Sequence, residues 1–582
     1  MSRRKKSAAF SRSFRIRLGL AVAVFAVAGS ALLARAVDLQ VSERDFLLKQ
    51  GDARHLRVVQ VTAHRGQITD RRGDPLAVST PVDSIWVNPG ELIESAAEIP
   101  RLARALGRDP EAVTRRVAAN AGREFLYLRR HMSPEKAEAV LGMGISGVYS
   151  LREYRRFYPA AEVAGHVVGF TDIDDEGQEG LELAYDHWLK GKNGAKRVLR
   201  DRLGRVIRDV ELIREARPGH ELTTSLDLRI QYLAYRELKR AVQTHRAKSA
   251  TMVVLDVDTG EVLAMVNQPS YNPNDRSQLT GNRYRNRAAT DIFEPGSAFK
   301  PLIVAAALES GRYQPGSVLD TSPGYLVVGA KTIEDANNLG SIPITTVLTR
   351  SSNVGASMIA LSLEPAQLWG ALNGMGVGQL TGVGFPGESA GVLTHYDHWR
   401  AIGQATLAYG YGVSMTALQL AQAYALFGSE GRVFPATLLA ADAPRPTGRV
   451  LDPVTTRAVL AMMETVVSQK GTAPAAAIPG YRVAGKTGTA RKSTAGGYAD
   501  DRYIAVFAGL APASDPRIAA VVMVDEPSAG AYYGGAVAAP VFSVVVGGAC
   551  ASSVFLPTTR AAPGLSGLSP RQRSGHEPVS YT

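Results

Sequence analysis

The sequence predicts an α/β (α+β) chain: a sheet covered by helices, preceded by a mixed α+β region and by a single N-terminal transmembrane helix. Three observations predict it. At 582 residues the chain exceeds one ordinary domain, so two folded domains plus appendages are expected. An uncharged apolar run follows a basic cluster near the N-terminus. Strand-like apolar segments lie at both ends of a helix-rich stretch beyond residue 221.

Bulk composition narrows the class. The chain is 45% hydrophobic and 21% charged, which fits a globular protein. Its formal net charge of +12 is unevenly placed: Arg3, Arg4, Lys5, Lys6, Arg12, Arg15 and Arg17 all precede the first acidic residue, Asp38. A nucleic-acid partner would call for a basic stripe interleaved with aromatics, and the sequence shows none, so no nucleic acid is expected. Cys550 is the single cysteine, which excludes an intramolecular disulfide and a cysteine-rich metal site; it reads as a small buried hydrophobe. Neither cofactor nor metal is expected.

The apolar run Leu18 to Ala34 carries no charge. It approaches the ~17–25 apolar residues that span a bilayer. The basic cluster before it places residues 1–17 in the cytoplasm and everything after Asp38 outside. A cleaved signal peptide competes, because Ala34-Arg35-Ala36 has an A-x-A form. Arginine inside that site is a poor context and the run is long for a signal, so an uncleaved anchor over 18–37 is expected.

Residues 38–220 show short β-like runs punctuated by Gly, Pro and Asp. Their Arg and Glu clusters read as buried or semi-buried ion pairs of a non-catalytic domain. A second domain starts near residue 221. Leu222 to Asp227 reads as a strand and Leu228 to Val242 as an amphipathic helix. Thr251 to Asp256, a turn at Asp258-Thr259-Gly260, and Glu261 to Val266 form a hairpin pattern. Val506 to Leu510 and Ile518 to Val524 add two late strands. The stretch 556–582, rich in Pro, Ser, Gly and Arg, reads as disordered.

Three short motifs carry chemistry. In Pro295-Gly296-Ser297-Ala298-Phe299-Lys300, Pro and Gly end the preceding segment, and Phe299, Leu302, Ile303 and Ala306 then recur at helical spacing. Ser297 and Lys300 therefore fall one turn apart on one face at a helix start. Serine is a weak nucleophile until a neighbouring base takes its proton. A lysine serves as that base only when burial or positive neighbours lower its pKa. The second motif is Ser351-Ser352-Asn353, after a helix-like stretch. The third is Lys486-Thr487-Gly488-Thr489, in a strand-like context after Tyr481 to Gly485. Each alone is common. Gly488, lacking a Cβ, reads as a place where an extended peptide lies against a strand edge.

The order S-x-x-K, S-x-N, K-T-G resembles the signature of penicillin-binding proteins. The boxes Ala63 to Gly73, Gly122 to Phe125, Arg155 to Pro159 and Gly177 to Glu182 resemble the division-type (FtsI-like) class B branch of that family. So do Gly384 to Glu388, Ala408 to Gly412 and Tyr532 to Gly535, and the likeness covers nearly the whole chain. It implies a serine β-lactamase/transpeptidase-like domain over 221–555 and a non-catalytic, dimerisation-like pedestal over 38–220. It also implies roles. Ser297 would be acylated with Lys300 as its base. Ser351 would relay a proton to the leaving amine, tuned by Lys486. Asn353 would hold the donor peptide, and Thr487 and Thr489 its terminal D-Ala carboxylate. Backbone N–H groups of Ser297 and Thr489 would form the oxyanion hole. Tyr503, Tyr532 and Tyr533 would wall the acyl pocket.

The partners implied are donor and acceptor peptidoglycan stem peptides, β-lactam antibiotics, an FtsW-like polymerase with other division proteins, and the lipid bilayer. The implied setting is the bacterial inner membrane, single-pass, with the catalytic domain periplasmic and at work on the septum. A β-lactamase reading lacks an identifiable deacylating glutamate, and its second motif would more typically be Ser-Asp-Asn. A D,D-carboxypeptidase differs only in letting water resolve the intermediate. A vestigial scaffold sits poorly with the intact motifs. The anchor expectation is checked directly: expressed protein should stay with membranes through a high-salt wash and start at its own N-terminus, whereas a soluble form beginning near Val37 would reveal a cleaved signal.

Overall fold

The computed structural model describes residues 3–42, 44, 56–200, 206–275, 277, 281–441, 444–494 and 497–552. The expected disordered stretch 556–582 lies outside the described residues. Helix α1 (Arg3–Val37) contains the apolar run. With its continuation it gives one segment, Phe14–Val41, long and apolar enough to cross a membrane, and none of its apolar window is buried. The rest divides into two compact units, with the change of unit near residue 222 and with 70–74 and 160–169 joining the second.

In the first unit, β1 (Leu56–Val61) begins a three-stranded antiparallel sheet completed by Gly194–Arg200 and Val206–Arg214. The long strand β2 (Pro75–Val87) is flanked on its two sides by β3 (Leu126–Met132) and β4 (Val148–Phe157), all antiparallel. Alternation assigns the faces. Ile85, Val87, Leu126, Leu128 and Val148 join the core formed with the helices Ile99–Ala105, Pro110–Ala118 and Pro134–Leu141. Asp109 starts the middle helix by accepting from Ala112 N at 2.9 Å, with Pro110 in the first turn.

The Arg and Glu boxes meet as expected, as a buried ion cluster. Glu182, fully buried, accepts Arg65 Nε and Arg156 Nε at 2.6 Å each on its two carboxylate oxygens. Arg65 adds Asp186 Oδ1 at 2.7 Å. The box at 122–125 differs. It stays at the surface, with Phe125 stacked on Trp86 at 4.7 Å between ring centroids.

The second unit is built on one antiparallel sheet. Helix α2 (Leu228–Thr244) leads into β5 (Ser249–Asp256) and β6 (Val262–Gln268), the expected helix and hairpin. Three strands complete it: β7 (Ala484–Thr494), β8 (Gly497–Ala511) and β9 (Ile518–Asp525), in the order β6-β5-β9-β8-β7. The expected strand Leu222 to Asp227 shrinks to Leu222–Thr223. Asp227 caps α2 instead, and Ser225 Oγ is drawn to the carbonyls of Val262 and Thr437 at 2.8 and 3.0 Å.

Inner strand β5 is buried at every position, so both sheet faces must be covered. Phe507 meets Phe542 of the helix Ala539–Ala551 at 4.8 Å. Leu510, of opposite parity, lies against Gly428 at the end of the helix Ala417–Gly428. Helices thus cover both faces, and each large apolar side chain so buried contributes about 1.5–3 kcal/mol. Cys550 sits half-buried on the terminal helix, where burial pushes its thiol up to about 11.

Removing the charge of Glu182 takes the ion pair from buried Arg156 and leaves buried Arg65 with Asp186 alone. Glu182→Gln should destabilise the first unit by about 3–5 kcal/mol. Limited proteolysis of the full chain should then show new cuts within residues 56–214, and an unchanged cutting pattern would contradict the structural role of the cluster.

Candidate active site

The S-x-x-K segment forms a tight turn, Gly296–Phe299, that runs into α3 (Lys300–Glu309) with Pro301 in its first turn. The turn is fixed from several sides. Phe293 pairs with Met415 through two backbone hydrogen bonds of 2.9 and 3.0 Å. The fully buried Tyr424 donates its hydroxyl to Ala298 O at 2.7 Å. Gly410 approaches so closely that a Cβ there would lie 2.2 Å from Gly296 O. Ser297 is half-buried and opens onto a cleft, whereas Lys300 is fully buried beneath it.

The S-x-N segment lies between two helices, Ile344–Thr349 and α4 (Asn353–Ser362). Ser351 adopts a left-handed φ of 60°, the break that separates them. Ser352 then caps α4 by accepting from Gly355 N at 2.8 Å. Asp335 clamps this start: its carboxylate takes Ser352 Oγ, Asn353 N at 2.5 Å and Val354 N at 3.1 Å. The left-handed turn presents both polar atoms of Ser351 to Lys300, whose Nζ lies 2.6 Å from Ser351 O, 3.2 Å from Ser351 Oγ and 2.8 Å from Asn353 Oδ1.

The K-T-G segment lies on β7, the edge strand of the sheet. Lys486, also fully buried, places Nζ 3.0 Å from the same Ser351 Oγ and 3.1 Å from Thr487 O. Thr487 Oγ1 meets Thr472 Oγ1 at 2.8 Å, and Thr489 Oγ1 accepts from Gly534 N at 3.1 Å. Ser351 Oγ is therefore a hydroxyl held between two buried amines. Burial pushes Lys486 down to about 7. Burial, and next the neighbouring charge of Lys486, push Lys300 well below its ordinary 10.5, with Asp335 opposing.

Ser297, Ser351, Asn353, Thr487, Thr489 and Tyr533 line one cleft of about 650 Å³. Among the described residues no hydrogen bond joins Lys300 Nζ to Ser297 Oγ; the amine is engaged by Ser351 and Asn353. Tyr533 alone of the three tyrosines lines the cleft. Tyr532 stacks on it at 4.4 Å, and Tyr503 stacks on Tyr532 at 4.2 Å, forming a column that leads away from the site.

Residues 250–547 match the penicillin binding protein transpeptidase domain, and residues 60–224 the penicillin-binding protein dimerisation domain. The chain belongs to the penicillin-binding protein transpeptidase family. The peptidoglycan D,D-transpeptidase FtsI of Escherichia coli is 44% identical over 522 residues, covering 89% of this chain and 88% of that one. A probable peptidoglycan D,D-transpeptidase, PbpC of Pseudomonas aeruginosa, is 40% identical over 541 residues, 93% and 96% of the two chains. Among solved structures, penicillin binding protein 3 of Mycobacterium tuberculosis complexed with ampicillin matches with a TM-score of 0.66 at 30% identity, over 84% of this chain and 96% of that one.

Gly488 needs a different explanation from the one its motif suggests. A Cβ there would lie 2.4 Å from Pro295 O and 3.2 Å from Ala298 Cβ, so the missing side chain admits the nucleophile turn, not a peptide. Sequence reasoning also missed Asp335, Thr472 and Tyr424. Each acts across more than a dozen residues of sequence and sits in no motif of its own. Gly488→Ala is expected to force the Ser297 turn off β7 and to slow acylation of Ser297 by about 100-fold or more, the scale seen when reacting groups shift by roughly 1 Å. Stopped-flow acylation alongside a thermal melt checks this, and an unchanged rate would refute the packing role.

Proposed function

We propose that this chain is a peptidoglycan D,D-transpeptidase that crosslinks stem peptides through an acyl-enzyme on Ser297. The observation that carries the proposal is the hydroxyl of Ser351 within hydrogen-bond reach of two buried lysines, beside Ser297 in one cleft. The names of the relatives support the substrate class. The match to a chain complexed with ampicillin supports β-lactams as inhibitors.

In this reading Lys300, neutral because it is buried, takes the proton of Ser297 Oγ as that oxygen attacks the carbonyl of the penultimate D-Ala. Backbone N–H groups of Ser297 and Thr489 stabilise the oxyanion; an edge strand leaves alternate N–H groups of β7 free for this. The amide C–N bond then breaks. The leaving D-Ala nitrogen receives its proton through Ser351 Oγ, which Lys486 polarises. The terminal carboxylate lies against Thr487 and Thr489, and Asn353 orients the donor peptide with its amide. The acceptor amine next attacks the ester carbonyl, the C–Oγ bond breaks, and Ser297 regains a proton. Tyr533, backed by Tyr532 and Tyr503, walls the acyl side.

We further propose that residues 38–220 act as a non-catalytic pedestal and 221–555 as the catalytic domain. The basic residues before Leu18 place the N-terminus in the cytoplasm and the cleft outside the inner membrane. The FtsI relative supports a role in septal synthesis beside an FtsW-like polymerase.

The test is intact-mass spectrometry after mixing with penicillin. A covalent adduct on Ser297 should persist for many minutes, vanish in Ser297→Ala, and form about 100-fold more slowly or worse in Lys300→Ala. A rapid return to unmodified mass with steady drug hydrolysis would point to a β-lactamase instead. A protonated lysine cannot accept the serine proton, so the acylation rate should fall as pH drops through the lowered Lys300 pKa. It should level off well below pH 10.5. A profile still climbing at pH 10 would contradict a depressed base.

A further inference from the structure

The acid three places before Ser297 has no task in the mechanism above. Glu294 stands between Phe293 and the Pro295-Gly296 turn, is half-buried, and does not line the cleft. Its Oε1 accepts two hydrogen bonds from distant segments, Gly412 N at 2.8 Å and the hydroxyl of Tyr498 at 2.9 Å. Gly412 lies just beyond Gly410, which packs on Gly296 with no room for a Cβ. Tyr498 stands at the start of β8, where the chain turns back from β7. Burial, and next the hydrogen bond and charge of Glu294, hold the Tyr498 hydroxyl above its ordinary 10.0, so it stays a donor.

One carboxylate thus joins the nucleophile turn, the segment 409–412 and the hairpin that carries K-T-G. The same junction is tied again at β7. Tyr411 accepts Arg491 N on its hydroxyl at 3.0 Å, and its ring meets that of Tyr498 at 5.1 Å between centroids. Arg491 and Thr489 have the same parity on an edge strand, so their N–H groups leave β7 on one side. The contact at Arg491 therefore sets where the N–H of Thr489 points. Bonds to a carboxylate are stronger than bonds to a neutral oxygen. They come at a cost here, since Oε2 is buried and has no hydrogen-bond partner among the described residues.

We propose that Glu294 is a positioning residue for acylation: its carboxylate locks the Ser297 turn, Gly412 and the β7–β8 hairpin into one register, so that Ser297 Oγ and the Thr489 N–H meet the same carbonyl. The role rests on the acyl-enzyme reading of Ser297 and adds a residue outside the three motifs. Glu294 acts through geometry and not through charge, because Lys300 is shifted by its burial, Lys486 and Asp335. The competing explanation is that the carboxylate only stiffens the hairpin. That role would change the melting temperature and not the rate at each folded site.

The test follows acylation of the full chain in detergent by a fluorescent penicillin, using stopped flow and counting folded sites by the covalent label. Saturation separates the acylation rate constant from noncovalent binding. Glu294→Ala should lower the rate constant about tenfold or more and leave binding within about twofold, since small misplacements of reacting groups have large kinetic effects. Glu294→Gln, which keeps an acceptor oxygen in place, should recover most of the rate with an unaltered pH profile. Tyr498→Phe removes one arm and should slow acylation about threefold, the scale of one lost hydrogen bond. The double variant Glu294→Ala/Tyr498→Phe should be no slower than Glu294→Ala, because both changes cut the same link. Unchanged rates per folded site, fully multiplicative losses or a shifted pH profile in Glu294→Gln would each overturn the proposal. If Glu294→Ala fails to fold, Tyr498→Phe, changed at an exposed position, decides the matter, and an unchanged rate overturns the latch. Failure of penicillin to acylate Ser297 in the unaltered chain would instead sink the acyl-enzyme reading, and the latch with it.

Discussion

The arrangement on which the rest of the catalytic unit depends is the hydroxyl of Ser351 between the amines of Lys300 and Lys486. Two fully buried lysines within reach of one atom cannot both stay charged at modest cost, because desolvation and mutual repulsion act in the same direction. Both therefore drop below their ordinary pKa. A hydroxyl has one proton to give and two lone pairs. Its oxygen accepts from both amines, which ties the Ser351 turn to α3 and to β7 at a single atom. Burial supplies both the chemistry and the requirement for a rigid surround.

That surround is built from constraints on the backbone. Ser351 reaches both lysines because its own φ is left-handed, an uncommon state for serine that the two flanking helices and the Asp335 clamp hold in place. The nucleophile turn lies flush against β7 because Gly488 has no side chain, and against the segment at Gly410 for the same reason. The cleft thus has three walls that meet through backbone contact, and a single methyl group at either glycine would separate them. Such sites place reacting groups well but tolerate little change in volume.

The first unit uses charge differently. Glu182 lies between Arg65 and Arg156 with its two oxygens divided between them. A buried carboxylate shared by two guanidinium groups specifies how separate chain segments come together more than it adds stability over an apolar alternative. In the catalytic unit burial lowers the pKa of both lysines; in the first unit the guanidinium groups keep their charge and serve structure. The difference begins in the side chain, since a guanidinium holds its proton where a buried ammonium gives it up more easily, and the counterion adds to it. Glu182 is present in one case, and only hydroxyl, amide and carbonyl acceptors are in direct contact in the other.

The sequence by itself marked out the three motifs that meet at the cleft, because motif spacing encodes local geometry: Ser297 and Lys300 one turn apart, a serine–asparagine pair at a helix start, and a lysine and two threonines along a strand. It also determined the apolar helix and the hairpin after residue 249, since both follow from periodicity over short windows. The tertiary structure alone decided how those motifs meet. That Lys300 engages Ser351 and Asn353, that Gly488 serves packing, that only Tyr533 of the three tyrosines reaches the cleft, and that Asp335, Thr472 and Tyr424 fix the motifs are contacts across tens or hundreds of residues. No local pattern records them, because a side chain's partner at long range is set by how the sheet and its covering helices pack, and many sequences with the same periodicity would pack otherwise.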